Sequence, residues 1–232
     1  MTSEHYAGRE ADNARGRAIS QLTRKATFLV KEKYGARSPD PRPYHGIEHT
    51  LWVMSAAYML GRRAVQNGNI PAWQLELLLL DGAYHDVFHE RGATNNEHKS
   101  AQLAAADMAA AGVFYDQEIA LVQDGIIATQ VQSATSRRIV QSAESRSYFA
   151  RLMADADLSS FGAPHNVFWD FAQRYFAETN PGVEFKGQAF DDFVRQHVHI
   201  VGGHKYYTDE ARQVFPYQAQ NVDFLTAQLA GH

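Results

Sequence analysis

The run LELLLLDGAYHDVFHE, residues 75–90, joins a leucine-rich segment to Tyr84, His85, Asp86 and His89 without a break. Its apolar spacing predicts a helix that starts at Pro71, buries its leucines and gives out around Arg91-Gly92. On such a helix His85 and His89 are four residues apart and share a face, with Asp86 about 100° round. An apolar anchor thus delivers two imidazoles and a carboxylate to one point. That donor mix suits a divalent ion such as Mn, Fe, Mg, Zn or Ni. A lone His-Asp pair is more often a hydrogen-bonded couple at a half-buried helix end, so the metal reading depends on the rest of the chain.

Working outward, helical periodicity predicts an amphipathic helix over Ala18–Tyr34, after a polar, frayed start, and a second over Ile47–Asn67. Between them lies a proline-punctuated loop, residues 38–43, which cannot continue a helix. Further helices are expected at 97–111, 116–130, 143–157, 166–178, 190–201 and 209–229, with a polar connection from Ser133 to Ser142. Gly112 closes one of them. Thr94 and Glu97 fit a capping box. No alternating strand pattern stands out, so the expected fold class is all-α. The 232 residues carry no repeat or low-complexity linker, and one domain is expected, its core about residues 40–160 with helices of 163–232 packed on it.

Composition narrows the chemistry. The net charge of -4 leaves no electrostatic footprint for nucleic acid. Without cysteine, thiolate zinc ligation and disulfides are excluded, and His, Asp and Glu remain as strong ligands. No run approaches a membrane span, and the expected location is the cytoplasm.

Four places then belong together: His49 at the start of the second helix, His85 and Asp86 at the end of the third, and Asp155 in LMADADL, residues 152–158. Two imidazoles and two carboxylates half-fill or better an octahedral shell and leave room for water and a substrate oxygen. Asp157 reads as a cap or supporting partner, since it points away from Asp155 on a helix.

His, His-Asp and a distant Asp in this order resemble the HD superfamily of metal-dependent phosphohydrolases, over Tyr44 to about Asp157 and more weakly beyond. Tyr44-His45 before His49 is similar to the YHxxxH opening of cyclic nucleotide phosphodiesterases. His85-Asp86-Val-Phe-His89 followed by Thr94-Asn-Asn96 resembles their HDxxH and TNN segments. Asn96-Glu97 with Ser100-Ala101, and Asp155 through Phe161-Gly-Ala-Pro164, are similar to small bacterial HD phosphohydrolases. The resemblance implies His49, His85, Asp86 and Asp155 as metal ligands and His45 as the acid for the leaving group. It implies that His89 bonds the nucleophile or a substrate oxygen, and that any second ion is held through Asp86 and waters. Dinuclear members and oxygenases of the superfamily carry two more histidines before the last Asp; residues 99–154 here contain none.

The implied function is hydrolysis of a small phosphate ester, a nucleotide or cyclic nucleotide, by attack of metal-bound hydroxide. The alternative is a regulatory domain that binds metal and nucleotide without turnover. No glutamine can be assigned to purine recognition, the stripe Trp169, Phe171 and Phe176 reads as core, and homodimerisation stays open.

Overall fold

A computed structural model describes the backbone of residues 3–135 and 138–230 and the side chains of 13–132 and 139–229. Among the described residues the fold is all-α: ten helices and one two-stranded hairpin. The chain runs α1 Ser3–Tyr34, α2 Ile47–Gln66, α3 Leu75–Tyr84, α4 Asn96–Ala111, α5 Asp116–Ala128, the hairpin of β1 Val131–Thr135 and β2 Arg138–Gln141, α6 Tyr148–Asp157, α7 His165–Thr179, α8 Gly187–Gly203, α9 Asp209–Val214 and α10 Gln218–Ala230. Short 3-10 turns at Ala72–Gln74 and Ser159–Gly162 lead into α3 and out of α6.

The leucines of α3 do what their spacing demands. Leu77, Leu78 and Leu80 are fully buried, each worth roughly 1.5–3 kcal/mol relative to exposure. They join Val53 and Leu60 of α2, Ile126 of α5 and Leu152 of α6 in one core. Two glycines let α3 lie close on α2. A Cβ on Gly82 would stand 2.9 Å from the Met54 Cα, and one on Gly61 would stand 2.4 Å from Leu78 Cδ1. That close approach sets the distance between the histidines at the ends of the two helices. A second, aromatic core gathers Phe168 and Phe176 of α7, Phe193 and Val201 of α8 and Leu225 of α10.

Several boundaries differ from the sequence expectation. The first helix begins at Ser3, well before the apolar periodicity at Ala18, and Arg15 ties its polar half to Glu118 at 2.8 Å. The expected helix 209–229 is two, because Pro216 has no N–H to continue it. The expected polar connection 133–142 includes most of the hairpin, whose ladder is interrupted between Val131 and Ser133 and so leaves no clean alternation. Helix α6 starts at Tyr148, where the Ser147 hydroxyl accepts from the Ala150 N–H at 3.2 Å. Among the described residues no helix is long and apolar enough to cross a membrane.

Candidate metal centre

Helix α3 ends at Tyr84, not near Arg91. The His85 N–H makes the last α-helical bond, to the Asp81 carbonyl at 3.0 Å. Val87 N–H closes a tight turn on the Tyr84 carbonyl at 3.1 Å, and the donors after it go to side chains: Phe88 N–H to Ser100 Oγ at 3.1 Å, His89 N–H to the Tyr34 hydroxyl at 2.6 Å, and Glu90 N–H to Asn96 Oδ1 at 3.1 Å. With its backbone satisfied from outside, the chain turns sharply after His85. His85 and His89 therefore do not share a helical face. Glu97 makes no capping box with Thr94; the N-cap of α4 is Asn95, without a side-chain bond.

The turn brings Asp86 beside His85 and His49, and the last residue of α6 closes the group. His49 Nε2 and His85 Nε2 are 3.3 Å apart. Asp86 Oδ2 lies 3.2 Å from His85 Nε2 and 3.6 Å from His49 Nε2. Asp157 Oδ1 lies 3.2 Å from His49 Nε2 and 3.7 Å from His85 Nε2. Ligand atoms about 2.1 Å from one ion and roughly 90–110° apart stand on the order of 3.0–3.4 Å from each other. The donor set fits a cation on that ground, and on two more. Asp86 Oδ2 is buried with no hydrogen-bond partner, and the His85 Nδ1–H donates to the Gly82 carbonyl at 2.8 Å, which turns the Nε2 lone pair into the group. His and Asp side chains are thus positioned to bind a metal ion.

Asp155, expected as the fourth ligand, is not in this group; Asp157 stands there instead. On α6 the two carboxylates point roughly 200° apart, and that of Asp155 turns to the segment before α9. It accepts from the Tyr207 N–H at 2.7 Å, the Thr208 N–H at 2.8 Å and the Thr208 hydroxyl at 2.6 Å. Burial pushes its pKa up to about 7 even against those bonds. Asp157 is held by Gln141 of the hairpin, whose Nε2 donates to Oδ2 at 2.8 Å.

Beside the cage stands a second pair. The His45 Nδ1–H donates to Glu178 Oε1 at 2.7 Å, and Glu178 Oε2 accepts from the Tyr44 and His45 N–H groups at 2.9 and 3.0 Å. Burial alone would raise Glu178, but the bonds from His45 and Tyr44 outweigh it and hold the carboxyl at about 2. Burial and the neighbouring His89 lower the His45 pKa, so the ring is a neutral imidazole on an anionic carboxylate. The pKa of His89 is raised: burial opposes its charge, and Asp86 prevails. The His45 and His89 rings stack with centroids 3.6 Å apart and planes 17° apart. His45, Asp86 and His89 also lie within one ion's reach of each other, yet no ion can sit in both of two stacked ring planes, where the lone pairs point.

Two spaces meet at His45 beside the cage. One is an aromatic cavity walled partly by Asp157 and His45. The other is an open polar cleft of about 540 Å³, lined by Arg42, His89, Arg91, Asn96, Glu97 and Glu178. Glu178 and Gln141 were not singled out by motif or spacing: Glu178 lies 133 positions from His45, and Gln141 reaches Asp157 from the hairpin, which no alternation announced. Phe171, expected as core, is buried and also walls the aromatic cavity. No protein-family model and no curated protein matches this chain.

Proposed function

We propose that the protein is a metal-dependent phosphohydrolase of the HD type acting on a small phosphate ester. The observation that carries the reading is the meeting of the His49 and His85 Nε2 atoms with a carboxylate oxygen of Asp157 and one of Asp86, each within 3.7 Å of both rings, with the His45–Glu178 pair beside them. A divalent ion held by those four side chains would lower the pKa of a water and offset charge on a phosphoryl oxygen.

The chain's own residues supply the rest. His45, neutral and oriented through Nδ1 by Glu178, has Nε2 free to take the proton of the attacking water and pass it to the leaving oxygen. The Glu178 carboxylate stabilises the imidazolium that forms in between. His89, whose pKa Asp86 raises, stands where it can donate a hydrogen bond to the phosphoryl group as negative charge builds there. Water oxygen bonds to phosphorus, the bond from phosphorus to the ester oxygen breaks, and the proton ends on the alcohol released. The Asp86 and Asp157 carboxylates would hold the ion and take no part in the proton transfer.

The test is turnover. Protein reconstituted separately with Mn²⁺, Mg²⁺, Zn²⁺, Fe²⁺ and Ni²⁺ is assayed on mono- and diesters for released alcohol and phosphate, with His45→Ala as control. Metal-dependent hydrolysis that falls by about 10²–10⁴-fold in His45→Ala is expected. Absence of turnover with every ion and ester would leave only a binding role for the cage.

A further inference from the structure

The aromatic cavity beside the cage has a volume of about 160 Å³. It lies between α7, α8, the Ser159–Gly162 turn and the hairpin. Phe161, Phe168, Phe171, Tyr175, Ile139 and Ile200 form much of its apolar wall, and Asp157 of the cage and His45 line it too. Among the described residues no lysine, arginine, asparagine or glutamine lines it. Its remaining polar groups are hydroxyls and His197, whose Nδ1 sits 3.3 Å from the Phe193 carbonyl. Burial holds His197 neutral, at about 4.

Those walls decide what can enter. Among the described lining residues no lysine or arginine offsets an anion, and no side-chain amide presents the paired donor and acceptor that read a base edge. Size is equally restrictive: an apolar cavity of about 150 Å³ lined by leucine, isoleucine and phenylalanine takes a benzene ring, and surrounding rings pack on such a guest edge to face. Charged and hydroxylated groups have a better place in the polar cleft that His45 also lines, with Arg42 and Arg91.

Resting on the phosphohydrolase reading, we infer that the substrate's organic group is one compact, uncharged, apolar ring, seated in this cavity with its ester oxygen toward His45. The expected nucleotide is thereby replaced by a phosphate ester of a benzyl-like alcohol. Hydrolysis adds the water oxygen to phosphorus, releases the ester oxygen with its electron pair, and puts the water's proton on it, giving the free alcohol and inorganic phosphate.

Benzyl phosphate and glycerol 3-phosphate have alcohol leaving groups of similar basicity, so the ratio of their kcat/KM values reports the fit of the organic group. With Mn²⁺-loaded protein, benzyl phosphate should exceed both glycerol 3-phosphate and adenosine 5′-phosphate by roughly tenfold or more. A second readout needs no turnover. In the metal-free protein, 4-fluorobenzyl alcohol followed by fluorine NMR should show saturable binding, lost in Ala172→Leu, which fills the cavity wall; the variant's melting curve verifies its fold. If Ala172→Leu unfolds, competition by toluene against the fluorinated alcohol on the unaltered protein replaces it, and displacement is expected. Equal or reversed kcat/KM ratios overturn the inference and leave the hydrolase reading standing. Turnover of none of the esters removes the hydrolase reading, and the fluorine titration then decides the occupant alone: saturable, displaceable binding supports the ring and its absence overturns it.

Discussion

Replacing Asp155 by alanine separates two carboxylates that stand two residues apart and do different work. The Asp155 side chain is fully buried and accepts from three donors, two backbone N–H groups and a hydroxyl, at 2.6–2.8 Å. Alanine leaves all three without an acceptor, and each buried donor so stranded costs about 1–3 kcal/mol. Part is recovered, because the variant no longer buries a carboxyl whose pKa is pushed up to about 7, and a water can enter the space left. The net expectation is a loss of about 3–5 kcal/mol of folding stability. Urea unfolding followed by circular dichroism at neutral pH measures it, and elemental analysis of the folded fraction measures metal. The folded variant should still carry its ion, because the cage is built by Asp157. A variant that unfolds at the normal urea concentration but has lost its metal would show that Asp155, and not Asp157, belongs to the cage.

Glu178→Gln keeps the shape but withdraws the charge that stabilises a protonated His45; turnover should fall about 10–100-fold with metal content unchanged, and simultaneous loss of the metal would contradict the assigned role. Gln141→Ala removes the donor to Asp157 Oδ2, so metal affinity, read by competition with a chromophoric chelator, should weaken by about tenfold or more. Burial holds His197 at about 4, below its unfolded value of roughly 6.5. The unfolded chain therefore binds the proton first, and stability present above pH 6.5 is lost as pH falls toward 4, on the order of 3 kcal/mol in all. His197→Phe should flatten that fall; unfolding curves at pH 7 and pH 5 with identical differences in both proteins would contradict it.

How much of this could be read from the chain depends on the range over which each feature is determined. The leucines of residues 75–80 announce a buried helix locally, and His49 sits where the second helix was expected to begin, in the first turn of α2. The end of α3 is another matter. No glycine or proline stops it at Tyr84; the stop comes from Tyr34, Asn96 and Ser100, which take the backbone donors that would have continued a ladder. A helical period carried through to His89 therefore placed His89 on the face of His85, whereas the turn stacks it on His45. The choice between Asp155 and Asp157 has the same origin. Helical geometry says that only one can face the histidines, but which one follows from the Tyr207-Thr208 backbone, some fifty residues later. Pro216, by contrast, was a local signal that the expected last helix overran. Glu178 illustrates the limit: its partner His45 is 133 positions away, and neither residue alone indicates the pair.

Elemental analysis after exhaustive dialysis, on the unaltered protein and on Asp157→Ala side by side, tests the cage most directly. One tightly held divalent ion per chain in the former and far less than one in the latter is the expected result. An unaltered protein without stoichiometric metal, or an Asp157→Ala variant that keeps a full equivalent, would contradict the assignment of His49, His85, Asp86 and Asp157 as a metal centre.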